Sequence, residues 1–374
     1  LPRATAVRMI SGVMNLLAPV HKARLKRWVR TRFDPTEYGM VPVAMLDPRR
    51  AGPPLPAHRI EEMQAVADAA WEGDWRTAAS YVDRAGEEWD ERWHRLELLQ
   101  EIAGQDDDWL GEWRRNDPDN GDAATLHAQL LVHRAWEIRG PGYANQVPAE
   151  RMRRFKRMLP AAMEAAQHAA GLAPRDPGPW VVMITTARAL NYRGMRFHTL
   201  WEGLAERAPH HYSGHWQALQ YWCAKWCGTD DQMMDFAERA VRNAPEGSPL
   251  AGIYLHALSE LTERHGVVAP VTTARVKDVL TEVDRSLAQA RGDARELPRL
   301  RHLLAHYLGE NGDHEAALEQ FRLIGPWCGA EPWTDKADPV AAFQLARGIA
   351  AAKAANGKLP DTGEGAARWG RTGG

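Results

Sequence analysis

Three prolines set the frame of this chain. Pro174, Pro209 and Pro245 stand 35 and 36 residues apart, and each closes a stretch whose small and apolar residues recur at helical spacing. The stretches run from Ala165 to Ala173, from Trp201 to Ala208 and from Phe236 to Ala244. Proline lacks an amide hydrogen and turns the residue before it away from helical backbone, so each helix must stop there. Shortly after the first two prolines a new apolar stripe begins: Trp180, Met183, Ile184 and Ala187, then Trp216, Leu219 and Cys223. Two helices per period of this length is the signature of a helical repeat. A lone hairpin leaves its apolar stripe wet, and stacked neighbours cover it.

The same pattern recurs elsewhere. Ala65, Val66 and Ala69 precede Gly73-Asp74-Trp75, then Ala78, Val82 and Ala85 follow. Leu304, Ala305 and Leu308 precede Gly312-Asp313-His314, then Ala317 and Phe321 follow. The periodicity predicts further helices over Glu87–Ala103, Ala124–Arg139, Ala149–Leu172, Leu250–Arg264, Val271–Arg291 and Pro339–Ala355. Gln105 to Asn120 reads as a polar interruption, and Gly140 to Val147 as a loop. Small residues such as Ala166, Ala169, Ala237 and Ala240 let helices approach closely. With the Gly-Asp-aromatic turns and closing prolines, the chain resembles the tetratricopeptide repeat family. That resemblance implies an all-α, right-handed α-solenoid of helical hairpins over 59–355. It also implies that one helix of each hairpin lines a concave groove.

Outside that array the composition shifts. Residues 1–58 carry a net charge of +7, although the whole chain carries −2. Residues 5–33 read as a basic helical arm. Six prolines between Pro35 and Pro56 then predict an extended linker. The arm is expected to cap the array or, alternatively, to adapt the protein to an anionic membrane surface. Its apolar run, Met9 to Val20, is too short to span a bilayer and has a cationic flank behind it, which opposes export. Few aromatics interleave its cations, which disfavours nucleic acid. Residues 356–374 are glycine-rich and expected to be disordered. Three cysteines make no disulfide framework, so a reducing, cytoplasmic setting is expected.

Short motifs contribute little chemistry. Leu359-Pro360-Asp361-Thr362-Gly363 spells a sortase sorting signal, but the apolar tail that signal needs is missing. Asp117 to Asp122 lacks the ligand alternation of a calcium loop and reads as a helix-capping segment. Cys223 and Cys227 lie near His210, His211 and His215, and read as core filling, with metal binding as the alternative. Aligning the helices by their inward residues places Thr185, Arg188, Gln217, Tyr221, Lys225, His256, Glu260, His302, His306 and Glu310 along the groove. From these, Arg188, Tyr221, Lys225, His256, Glu260, His302, His306 and Glu310 are the expected ligand-binding set. The expected function is non-catalytic binding of a protein or peptide, with no cofactor. An enzyme or metal-binding protein using His302 and His306 is the alternative.

Overall fold

This computed structural model describes residues 23–140 and 146–355. Most of the basic arm and all of the 356–374 tail, with its sortase-like letters, lie outside the described residues. The fold is all-α: among the described residues there is no β-strand, only one isolated bridge between Asp47 and Trp327. The chain divides into two compact units. Among the described residues, a central unit takes those from 55 to 260, and a terminal unit joins residues 23–54 to residues 261–355.

The central unit holds α2 (Ala57–Trp71), α3 (Trp75–Asp83), α4 (Trp89–Gln105), α5 (Asp108–Asn116), α6 (Gly121–Arg139), α7 (Ala149–Leu172), α8 (Gly178–Ala189), α9 (Met195–Arg207), α10 (Tyr212–Trp222) and α11 (Asp230–Asn243). The start of α12 (Ile253–His265) completes it. Consecutive helices pack on one another. The first Gly-Asp-aromatic turn works as its residue types require: Gly73 adopts φ +84°, and the Asp74 carboxylate accepts from the Arg76 amide to cap α3. Asn120 caps α6 in the same way, so the calcium-like letters serve a helix terminus. Ala166, Ala169, Ala237 and Ala240 are buried, as close helix crossing demands.

One element departs from expectation. The polar stretch 105–120 contains α5, whose Trp109, Leu110 and Trp113 are buried. Its three apolar residues form a single narrow stripe among charges, which lowered its apparent hydrophobicity without removing its buried face.

The terminal unit holds α13 (Ala274–Ala288), α14 (Leu297–Glu310), α15 (His314–Ile324) and α16 (Pro339–Ala354), together with a helix through residues 23–31, α1. Trp28, Val29 and Phe33 are buried, whereas Arg24, Arg27, Arg30 and Arg32 face solvent. A Cβ at Gly348 on α16 would collide with Val29, so a glycine is what lets these two segments meet. The proline-rich segment 34–54 is no free linker. Tyr38 O accepts from Arg322 Nε at 2.8 Å, and Val41 O accepts from Arg347 Nη1 at 2.8 Å. Asp47 and Arg50 exchange backbone hydrogen bonds with Pro326, Cys328 and Gly329. Prolines remove donors but keep their carbonyls, and it is largely the carbonyls of this strap that are used.

Candidate binding surface

In the terminal unit, the expected groove residue His302 is a core residue instead. It is fully buried on α14. Its Nε2 lies 2.8 Å from Ala51 O and its Nδ1 accepts from Trp333 Nε1 at 2.9 Å. A carbonyl only accepts, so Nε2 carries the proton and both ring nitrogens are occupied. Burial pushes its pKa down to about 4, keeping the ring neutral. His306 lies one turn on, edge-on to Trp333, and burial lowers its pKa while Glu310 opposes that shift. Glu310 is exposed. His302 therefore has no lone pair to give to a metal or ligand, and the two-histidine pocket loses its first member. Among the described residues no group of three or more His, Cys, Asp or Glu is placed to hold a metal ion.

In the central unit, Tyr221 also departs from expectation. It is 3 % exposed, its ring stacks on Phe197, and its hydroxyl donates to Tyr192 O at 2.8 Å. An amphipathic ring that finds a carbonyl can be buried whole, which spacing alone does not reveal. His256 is partly buried and its Nε2 meets the Tyr212 hydroxyl at 2.9 Å. Cys223 is buried and its thiol donates to Leu219 O at 3.3 Å. Burial pushes that thiol up to about 12 and raises Cys227 as well, so both remain protonated and unreactive at neutral pH. Both are free thiols.

The remaining predicted residues of the central unit do come together. Lys225 follows α10 and reaches Glu260 on α12 at 2.6 Å. Gln220 Nε2 donates to the same carboxylate at 2.7 Å. Arg188, in the last turn of α8, feels the Glu260 charge but forms no ion pair with it. Its guanidinium lies 5.4 Å from the Trp136 ring and 5.2 Å from the Trp226 ring. Arg139, the last residue of α6, faces the same two rings at 5.2 and 5.7 Å. Two cations thus share two indoles.

Position in the helices explains part of this arrangement. Each arginine ends a helix, where the unsatisfied carbonyls favour a cation. The indole faces add cation–π attraction. Trp226 is carried by a tight turn in which a Cβ on Gly228 would strike the Trp222 carbonyl, so the turn needs glycine there. Trp136, Trp226 and Lys225 are not fully buried, so the cluster reaches the surface. Sequence reasoning missed Trp136, Arg139, Gln220 and Trp226. Trp136 and Arg139 stand three apart on α6, the spacing of side chains that share a face, and that was the available signal.

A second polar cluster lies in the same unit. Arg92 makes a two-pronged contact with Asp122, at 3.1 and 2.6 Å, and lies 3.7 Å from Asp176. Asp176 Oδ1 accepts from the Gly178 amide. Burial, foremost, pushes Asp176 up to about 6. One arginine shared by two buried carboxylates cannot fully stabilise both charges. Pro160, Met163, Glu164, Gln167, Tyr192 and Arg196 are among the residues lining an open cavity of about 610 Å³.

Compared with known proteins, the chain matches no family model, no curated protein and no solved structure. Among the described residues no helix is long and apolar enough to cross a membrane.

Proposed function

We propose that this is a non-catalytic binding protein, a right-handed, tetratricopeptide-like array of helical hairpins that holds a protein or peptide partner on the surface of its central unit. The observation that carries the reading is convergence. Arg188, Lys225 and Glu260 come from three segments spread over some seventy residues, yet Lys225 pairs with Glu260, the Glu260 charge acts on Arg188, and Arg188 lies over Trp136 and Trp226. Tryptophan that reaches solvent, as Trp136 and Trp226 do here, is among the side chains that most often carry binding energy at protein interfaces. The packing of consecutive helices supports the stacked-hairpin architecture. Free, unactivated cysteines fit a reducing, cytoplasmic setting.

Selection of a random peptide library on the immobilised full chain tests the proposal. It should enrich a shared sequence of micromolar affinity. Lys225→Met should weaken that peptide about tenfold, the scale of losing one well-placed interface contact, while Glu260 keeps its hydrogen bond from Gln220 and the thermal midpoint changes little. A library that yields no common sequence, or a selected peptide that binds the variant equally well, would overturn it.

A further inference from the structure

The pair Arg139 and Arg188 poses a problem of charge balance. Both are buried, at 7 % and 9 % exposed. Among the described residues neither has an ion-pair partner. Arg139 donates one bond, from Nη1 to Gly140 O at 3.1 Å. Among the described residues the Arg188 side chain forms no hydrogen bond, and its buried Nε is without a partner there. A guanidinium offers five N–H donors, and a buried charge is tolerated when it is paired and hydrogen-bonded. Like charges placed together make the deficit worse.

Among the described residues, nearby groups do not supply the missing charge. Glu260 is the carboxylate that acts on Arg188, but its oxygens are held by Gln220 and Lys225. Cys223 and Cys227 are neutral thiols. The two helix ends and the two indole faces provide only partial negative charge. Burial accordingly draws Arg188 down to about 10 and lowers Arg139 too.

We propose that Arg139 and Arg188 form a binding site for an oxyanion, a carboxylate or phosphate group, walled by Trp136 and Trp226. This deepens the partner-binding reading and rests on it for the origin of the ligand: the oxyanion belongs to the bound partner. Guanidiniums present parallel N–H donors that match the oxygens of such a group. The indoles exclude water, which strengthens each of these contacts.

Thermal unfolding of the full-length protein tests the site without any knowledge of the partner. The probes are sodium glutarate and sodium phosphate, each at fixed ionic strength maintained with chloride. At tenfold over the dissociation constant the midpoint should rise by about 2–4 °C, because the ligand binds only the folded chain. A response to glutarate alone identifies a carboxylate, to phosphate alone a phosphoryl group, and to both a general oxyanion site. R188M and R139M should each abolish the response. No rise with either probe, or the same rise in both variants, would overturn the proposal. Should the variants fail to fold, nitrogen-edited NMR of the wild-type protein decides: two arginine Nε–H signals must shift saturably with the probe, and unshifted signals would overturn the site. The two proposals fail separately. Saturable glutarate or phosphate binding without any selected peptide would sink the partner reading alone. Peptide binding untouched by R188M would sink the oxyanion site alone.

Discussion

His302 in the terminal unit and Arg188 in the central unit make an instructive pair. Both are polar side chains on helices, both were expected on a groove wall, and both are at least nine-tenths buried. His302 gives one proton to Ala51 O and takes one from Trp333. Nothing is left over, and the ring pins the proline-rich strap to α14. Arg188 has two aromatic faces and a second arginine for company, but no hydrogen-bonding partner for its Nε. Burial therefore does not separate structural from functional polar groups. Satisfaction sets these two apart: His302 is fully paired and acts as a fastener, whereas the Arg188 Nε is unpaired among the described residues.

Substitutions can break or sharpen that contrast. The largest effect is expected at the fastener. His302→Ala leaves a cavity, releases the Ala51 carbonyl and strands the Trp333 N–H, at a cost of about 3–4 kcal/mol in denaturant unfolding. A loss below about 1 kcal/mol would show that the strap is held without it.

Asp176 comes next, as a buried group only half satisfied. Its folded pKa is about 6 against an ordinary 3.8. The folded state therefore binds this proton more tightly than the unfolded state does. That contribution is fully present below about pH 3.8 and is lost as pH rises through about 6. Asp176→Asn keeps an acceptor for the Gly178 amide and removes the charge, while Arg92 retains Asp122. The variant should match the wild type near pH 4 and exceed it by about 2 kcal/mol at pH 8. Stability curves that run parallel across this range would refute the account.

Arg188→Met should move stability the other way from His302→Ala. Replacing an unpaired buried charge with an apolar side chain of similar length should stabilise the ligand-free protein by about 1–2 kcal/mol. A destabilisation of that size would mean that the indoles and helix ends already satisfy Arg188, and the contrast with His302 would collapse. Tyr221→Phe is the smallest of the series. It removes one buried hydrogen bond, to Tyr192 O, and keeps the ring stacked on Phe197. A loss of about 1 kcal/mol with unchanged peptide binding is expected; impaired binding at unchanged stability would return Tyr221 to the ligand surface.

What could be read early follows from local physics. The closing prolines, the small-residue stripes and the Gly-Asp turns each act within one or two helical turns, so they marked most helices and two of the caps. Gly73 and Gly312 both take positive φ, and Asp74 and Asp313 both cap the next helix. The failure at α5 was local too, because its buried stripe is narrow and its flanks are charged.

The site was legible only in part. Helical phase assigned Arg188, Lys225 and Glu260 to one side; Lys225, although it lies past the end of α10, pairs with Glu260, whose charge acts on Arg188. The same phase assigned Tyr221 and His302 to that side, and both went inward. Phase says which way a side chain leaves its helix. It says nothing about whether another segment lies there to cover it.

The sequence by itself determined an all-α chain, the approximate places of most of its helices, and the small-residue crossings that let neighbours pack. Those depend on backbone torsions and periodicity, which neighbouring residues control. Only the tertiary structure decided that residues 23–54 join the C-terminal helices, that the Ala51 carbonyl lies beside a histidine 251 positions away, and that Arg139 and Arg188 share two indoles. Each of these depends on which donors and acceptors are brought within about 3 Å of each other, and that is fixed by the chain's return through space.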